Sequence, residues 1–126
     1  MAMKHHHDGA FRVYASGRTE VGENLKVDGN IQSGGNVCAK KFLAKVTPDC
    51  VPDYVFEPDY QLMPLAELKA YLTTNKHLPG IPSATEMGTE GQNVSDLQLK
   101  LLEKIEELTL YTLQLRAEID ALKSQK

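Results

Sequence analysis

The chain has 126 residues, enough for one modest domain and a helix, and its net charge is −3. Residues 1–50 carry seven Lys/Arg against five Asp/Glu, residues 51–93 sum to −4 and residues 94–126 to −1, so no block is basic enough to argue for nucleic acid. No apolar run approaches the length of a membrane span and no secretory signal is visible, so an extracellular place needs another route, such as release with a virion, or a longer parent chain.

The chain opens on a Met-rich stretch with three consecutive histidines, which resembles a shortened affinity tag. On a strand, His5 and His7 would share a face, and a three-fold assembly would then gather six imidazoles able to hold a transition metal. The tag interpretation is preferred, and no metal or other cofactor is expected. Residues 11–50 read as short strands cut by turns. Phe11-Arg12-Val13-Tyr14-Ala15 alternates, Ser16-Gly17 turns, and Thr19-Glu20-Val21 is a short strand. Residues 25–27 alternate again before the strong turn Asp28-Gly29-Asn30. Residues 37–46 are the longest strand candidate. Strands this short offer too few apolar side chains for a core in one copy. The pattern suits a β-solenoid or an intertwined β segment whose neighbours complete it. Cys38 and Cys50 have no metal spacing and are expected to be reduced, partly buried thiols, with pairing the alternative.

Residues 51–93 are expected to form a small knob. Pro48, Pro52 and Pro58 predict an extended connection, on which Tyr54 and Phe56 would share one face. Pro64 opens a short helix at its first position, with Leu65, Leu68 and Leu72 on one side and Asn75 as the left-handed residue that ends it. Pro79 and Pro82 stiffen an extended strip bearing Leu78 and Ile81, and Gly80 permits a bend or close approach. Together Tyr54, Phe56, Leu65, Leu68, Leu72, Leu78 and Ile81 are the expected knob core. Ser83-Ala84-Thr85-Glu86 is a capping box heading one helical turn. His77 has no partner for metal or catalysis and is expected to be hydrogen-bonded and structural.

Residues 94–126 organise the rest. Val94, Leu101, Leu108, Leu115 and Leu122 fall at d of an unbroken heptad, and Gln98, Ile105, Thr112 and Ile119 fall at a. A seam this narrow wants a partner helix, and a helix of ~45 Å is longer than a small domain is wide. Ser95-Asp96-Leu97-Gln98 reads as a capping box with Ser95 at N-cap, and Val94 with Leu99 as a hydrophobic staple. Glu118 at g and Lys123 at the following e suit parallel neighbours. Ile at a with Leu at d is compatible with a dimer. Leu97, Leu99, Leu102, Leu110 and Tyr111, apolar outside the seam, point to a higher oligomer or to packing of the preceding domain on the helix. The pattern leans slightly to a trimer.

Asp53-Tyr54-Val55-Phe56-Glu57-Pro58-Asp59-Tyr60-Gln61-Leu62, then Pro64-Leu65 and Glu67, then Asn75-Lys76-His77-Leu78-Pro79-Gly80-Ile81-Pro82-Ser83, and finally residues 101–111 form a long ordered motif. It resembles the C-terminal region of tail-fibre-like proteins of Bacteroidetes bacteria and their phages, and it covers over half of the chain. The segment from Gly17 to Gly22 and on to Ile31 is similar to the short β repeats that precede it there. The resemblance implies an α+β fibre end that is trimeric: a fibre N-terminal end or tag over residues 1–10, a β-repeat shaft over 11–50, a knob over 51–93 and a parallel coiled coil over 94–126. The Ser/Lys arrangement of self-cleaving fibre chaperones is not recognisable here.

The expected function is therefore structural: a trimerisation module that nucleates and registers a phage tail fibre or cell-surface fibre, placed in the virion or outside the cell. The alternative is a receptor-binding tip in which Tyr54, Phe56 and His77 meet a host-surface glycan. No Ser/His/Asp, Cys/His, paired-carboxylate or phosphate-loop pattern supports an enzyme. The expected partner is the chain itself, as a homotrimer, with no nucleic acid and no membrane insertion.

Overall fold

The structure is a computed structural model and describes residues 11–125. His5 and His7 lie outside the described residues. The chain divides between Lys41 and Phe42 into two units, each described by itself. Helices predominate, with a two-stranded hairpin before them and a long, largely exposed helix at the end.

In the first unit β1 (Phe11–Val13) pairs antiparallel with β2 (Thr19–Val21), Arg12 opposite Glu20. The turn closes with Tyr14 N–H donating to the Arg18 carbonyl at 2.8 Å and Gly17 N–H to the Tyr14 carbonyl at 2.9 Å. Gly17 sits at φ +82°, where a side chain would be strained, so the Ser16-Gly17 signal marks the turn correctly. Glu20 gathers the hairpin's polar contacts: the Tyr14 hydroxyl donates to it at 2.7 Å, and the Arg18 guanidinium pairs with it.

The expected strands at 25–27 and 37–46 do not form. Residues 22–47 carry no regular element, and Leu25, Ile31 and Val37 are exposed. A strand of three to five residues needs a neighbour to satisfy its N–H and C=O groups, and one chain supplies a partner only in the hairpin. Cys38 and Cys50 are free and exposed rather than partly buried.

The second unit begins with two short 3-10 helices, Pro48–Cys50 and Pro52–Phe56, where an extended connection was expected. Proline is excluded from a helix interior, but at a first position its missing N–H is not needed and its φ is already helical. A 3-10 turn does not alternate faces as a strand does, so Val55 points inward instead of Tyr54 and Phe56. Val55, 1% exposed, and Pro52 are the most deeply buried side chains described.

Helix α1 (Leu65–Asn75) has Pro64 as its cap, one residue outside the expected place. Asn75 is its last helical residue, and Lys76 takes the left-handed conformation at φ 62°. The Asn75 amide instead donates to the Tyr71 carbonyl at 3.0 Å, which holds it in the helix. Residues 78–81 bend rather than extend: Ile81 N–H donates to the Leu78 carbonyl at 3.1 Å and Gly80 lies at φ +76°. Pro followed by Gly at positive φ is the residue order of a type II turn. Helix α2 (Ala84–Glu90) carries the expected capping box but runs two turns, not one. Ser83 N–H donates to the Glu86 carboxylate at 2.7 Å, and Glu86 N–H donates back to the Ser83 hydroxyl at 3.3 Å. The Ser83 hydroxyl also donates to the Glu86 carboxylate at 2.7 Å, and this bond, then the one from Ser83 N–H, holds the carboxyl below its usual range.

Helix α3 (Val94–Ser124) is 31 residues long, about 46 Å. Its N-cap is Asn93, whose side chain accepts from Asp96 N–H at 3.2 Å, so the helix starts before the expected Ser95 cap. Asn ranks with Ser as a cap, and a cap bonds the N–H two or three places on, which Asn93 does. Val94 is then helical and the expected staple with Leu99 has no place. Among the described residues, no helix is long and apolar enough to cross a membrane.

Candidate self-association surface

Helix α3 has two unlike faces. One is closed by the preceding residues, chiefly by the 3-10 helix Pro52–Phe56 that lies against it. Here Glu106 and Tyr111 are buried, and Leu99, Glu103, Lys104, Glu107 and Leu110 are half-buried. In the heptad these occupy b, c, f and g, away from the seam.

Tyrosines fasten this closed face. The Tyr60 hydroxyl donates to Glu107 at 2.6 Å, the Tyr54 hydroxyl donates to Glu103, and the Tyr111 hydroxyl donates to the Met63 carbonyl at 2.6 Å. Lys104 lies between the two acids, 2.8 Å from each, with its side chain only 13% exposed. This places each polar group of the clasp against an opposite one, as partial burial requires. The hydrogen bond to Glu103, then burial, push the Tyr54 phenol up to about 12. Burial, then the bond to Glu107, raise Tyr60 further. Burial works against the charge of Glu103, yet Lys104 and Tyr54 outweigh it and hold the carboxyl below its usual range. Burial likewise opposes the Lys104 charge, and its two carboxylates raise it all the same.

Glu106 is the exception. It is 8% exposed, and its Oε2 has no hydrogen-bond partner. Burial, with Asp53 and Glu103 nearby, pushes its carboxyl up.

The opposite face is the heptad seam, and it is open. Val94, Leu101, Ile105, Leu108, Leu115, Ile119 and Leu122 are all exposed, Leu108 to 62%, and so are Gln98 and Thr112. From Thr112 to Ser124 no residue is even half-buried. The apolar residues outside the seam divide instructively. Leu97, Leu99, Leu110 and Tyr111 are covered by their own chain, whereas Leu102 stays exposed. Of the two explanations for that extra apolar surface, packing of the preceding domain accounts for four of the five.

The expected knob core is not closed within one chain. Tyr54, Phe56, Leu65 and Leu78 are exposed, and Leu68, Leu72 and Ile81 are half-buried. The inward residue of the tyrosine segment is Val55, not Tyr54 or Phe56. Leu68, Leu78 and Pro79 instead line an apolar groove of about 400 Å³ with Leu101, Ile105 and Leu108 of the seam.

No family model, curated protein or solved structure matches the chain.

Among the described residues, no group of three or more His, Cys, Asp or Glu is arranged to hold a metal. His77 lies edge-on to Tyr71 at 5.8 Å, and its Nδ1 is 3.1 Å from the Leu78 carbonyl, a structural setting. Tyr54 is engaged by Glu103 and by the Tyr60 ring at 6.0 Å. Of the aromatic trio Tyr54, Phe56 and His77, Phe56 alone has no ring partner among the described residues. Few residues are buried, and many large apolar side chains are exposed along a long helix, a combination that points to self-association.

Proposed function

We propose that this chain is an assembly module for a fibre: three copies join through α3 in a parallel coiled coil that registers the segments before it. The observation that carries this is the division of α3 into a closed polar face and an open apolar seam. A helix that only needed to pack on its own domain would turn Ile105 and Leu108 inward. Here the chain covers the charged face with its tyrosines and leaves the leucines and isoleucines to solvent. Burying such side chains is worth about 1.5–3 kcal/mol each, and only another chain can do so.

The fibre context, in a virion or at a cell surface, rests on the resemblance of residues 53–83 and 101–111 to fibre-end proteins. The three-fold state rests on the same resemblance, with Leu102 as the one extra apolar residue in the N-terminal half of α3 that its own chain leaves exposed. A helix zipper formed first would raise the effective concentration of the β segments, whose pairing between chains is otherwise slow. The unpaired residues 22–41 are what such a shaft would engage.

Leu108→Asp tests the seam. It sets three carboxylates in one apolar layer, where ionised groups are very costly. The variant should lose its assembled mass while the 3-10 helix Pro52–Phe56 keeps its contacts with α3. An unchanged mass and melting temperature would place the seam elsewhere.

A further inference from the structure

We infer that the knob forms part of the interface between chains: the groove beside α3 is a coiled-coil hole with an added wall, and it takes the α3 helix of a second copy. This rests on the assembly proposed above. In knobs-into-holes packing a side chain at a enters a hole made by four residues of the facing helix, the preceding d and g, then a and d. Those four positions around Ile105 are Leu101, Lys104, Ile105 and Leu108. All four line the groove. It is thus the hole for a neighbour's Ile105, present before any neighbour arrives.

A lone helix would end the hole there. In this chain Leu68 of α1 and Leu78 and Pro79 of the type II turn continue it into a groove of about 400 Å³. The added wall stands on the g side, beside Lys104 and Tyr111. In parallel neighbours the g side of one helix meets the e side of the next. The e residues on either side of the incoming Ile105 are Leu102 and Thr109. Leu102 is the extra apolar residue that its own chain leaves exposed, and Leu78 is 40% exposed.

Charge supports the parallel arrangement. In it the four g–e pairs are Leu97 with Leu102, Lys104 with Thr109, Tyr111 with Arg116 and Glu118 with Lys123, so no like charges meet and one pair is acid with base. An antiparallel arrangement sets e against e, where Arg116 and Lys123 find no acid, since the other e residues are Ser95, Leu102 and Thr109. The occupant is therefore a second copy of this chain, with Ile105 in the hole and its flanking e residues Leu102 and Thr109 along the wall of Leu78 and Pro79.

Mixed cross-linking tests this in the full chain, with Cys38→Ser and Cys50→Ser as background. One batch carries Leu78→Cys, a second carries Leu102→Cys under a different tag, and the two are refolded together with a short bismaleimide. A third, carrying Ile105→Cys, reports the seam alone. The expected result is a cross-link between the two tagged chains, absent when either batch is treated alone, together with Ile105-to-Ile105 linking. Leu78→Ser should also shift the dissociation midpoint of the assembly about tenfold to higher concentration while α3 stays helical. Seam linking without a link from position 78 to 102, and an unchanged midpoint, would overturn the inference and leave the coiled coil standing. A single-chain mass with no linking at position 105 would overturn both.

Discussion

Glu106 and Tyr60 show how differently one face of a helix treats its polar groups. Tyr60 is half-buried and bonded to Glu107, so Tyr60→Phe should cost about 1–2 kcal/mol in thermal unfolding. Tyr54→Phe should cost less, because Tyr54 is more exposed. Glu106 is buried with an unpartnered oxygen and a raised carboxyl. A carboxyl whose folded pKa is raised favours folding only while protonated, and stability falls as pH rises from the ordinary carboxylate range through its raised value. Glu106→Gln should therefore stabilise the chain at pH 7 by about 1 kcal/mol and have little effect in acid, where the native carboxyl is protonated anyway. Glu103 has the opposite sign. Its folded pKa is lowered, so its contribution is present above the ordinary range and is lost as pH falls through the folded value. Melting curves of the two single variants, Glu106→Gln and Glu103→Gln, across acid and neutral pH should diverge in these directions. Parallel curves would mean that the two carboxyls share one environment.

Among the elements, the helices were the readable part of the sequence. The Ser83 capping box, the leucines of α1 and the seam of α3 are local patterns, and local patterns need no partner to be seen. The boundaries were less readable. Asn93 and Ser95 are both acceptable caps, and only the bond from Asp96 N–H separates them. Pro79-Gly80 was legible as a bend, yet the prolines around it suggested a strip. The clasp was not legible at all. Tyr54 and Glu103 lie 49 residues apart, and Tyr60 and Glu107 lie 47 apart, with no periodicity to join them. The one available signal was the surplus of apolar residues off the seam, which asked for cover from the preceding domain. The 3-10 helix is the inward anchor of that cover. Val55→Ala should cost about 1–3 kcal/mol through lost burial and the cavity left behind. Amide exchange should rise in residues 52–56 and around Glu106, with the C-terminal half of α3 unaffected. Uniform loosening along α3 would mean that the clasp and the seam are one cooperative structure.

In the whole molecule the two units contrast. The second unit closes one face of a long helix and holds the other open. The first forms a hairpin and leaves residues 22–41 without regular pairing. On the assembly proposed above, further copies of the same chain resolve both conditions: the seam by knobs in holes, the short β segments by neighbouring strands. The β segments were hard to read from one sequence because strand pairing is non-local, and among the described residues only the hairpin supplies a partner strand. The central claim is self-association through α3, and the mass of the full chain by light scattering over a wide dilution series tests it most directly. The account predicts three chain masses at high concentration, falling together with helicity on dilution. One chain mass throughout, with α3 fully helical, would contradict it.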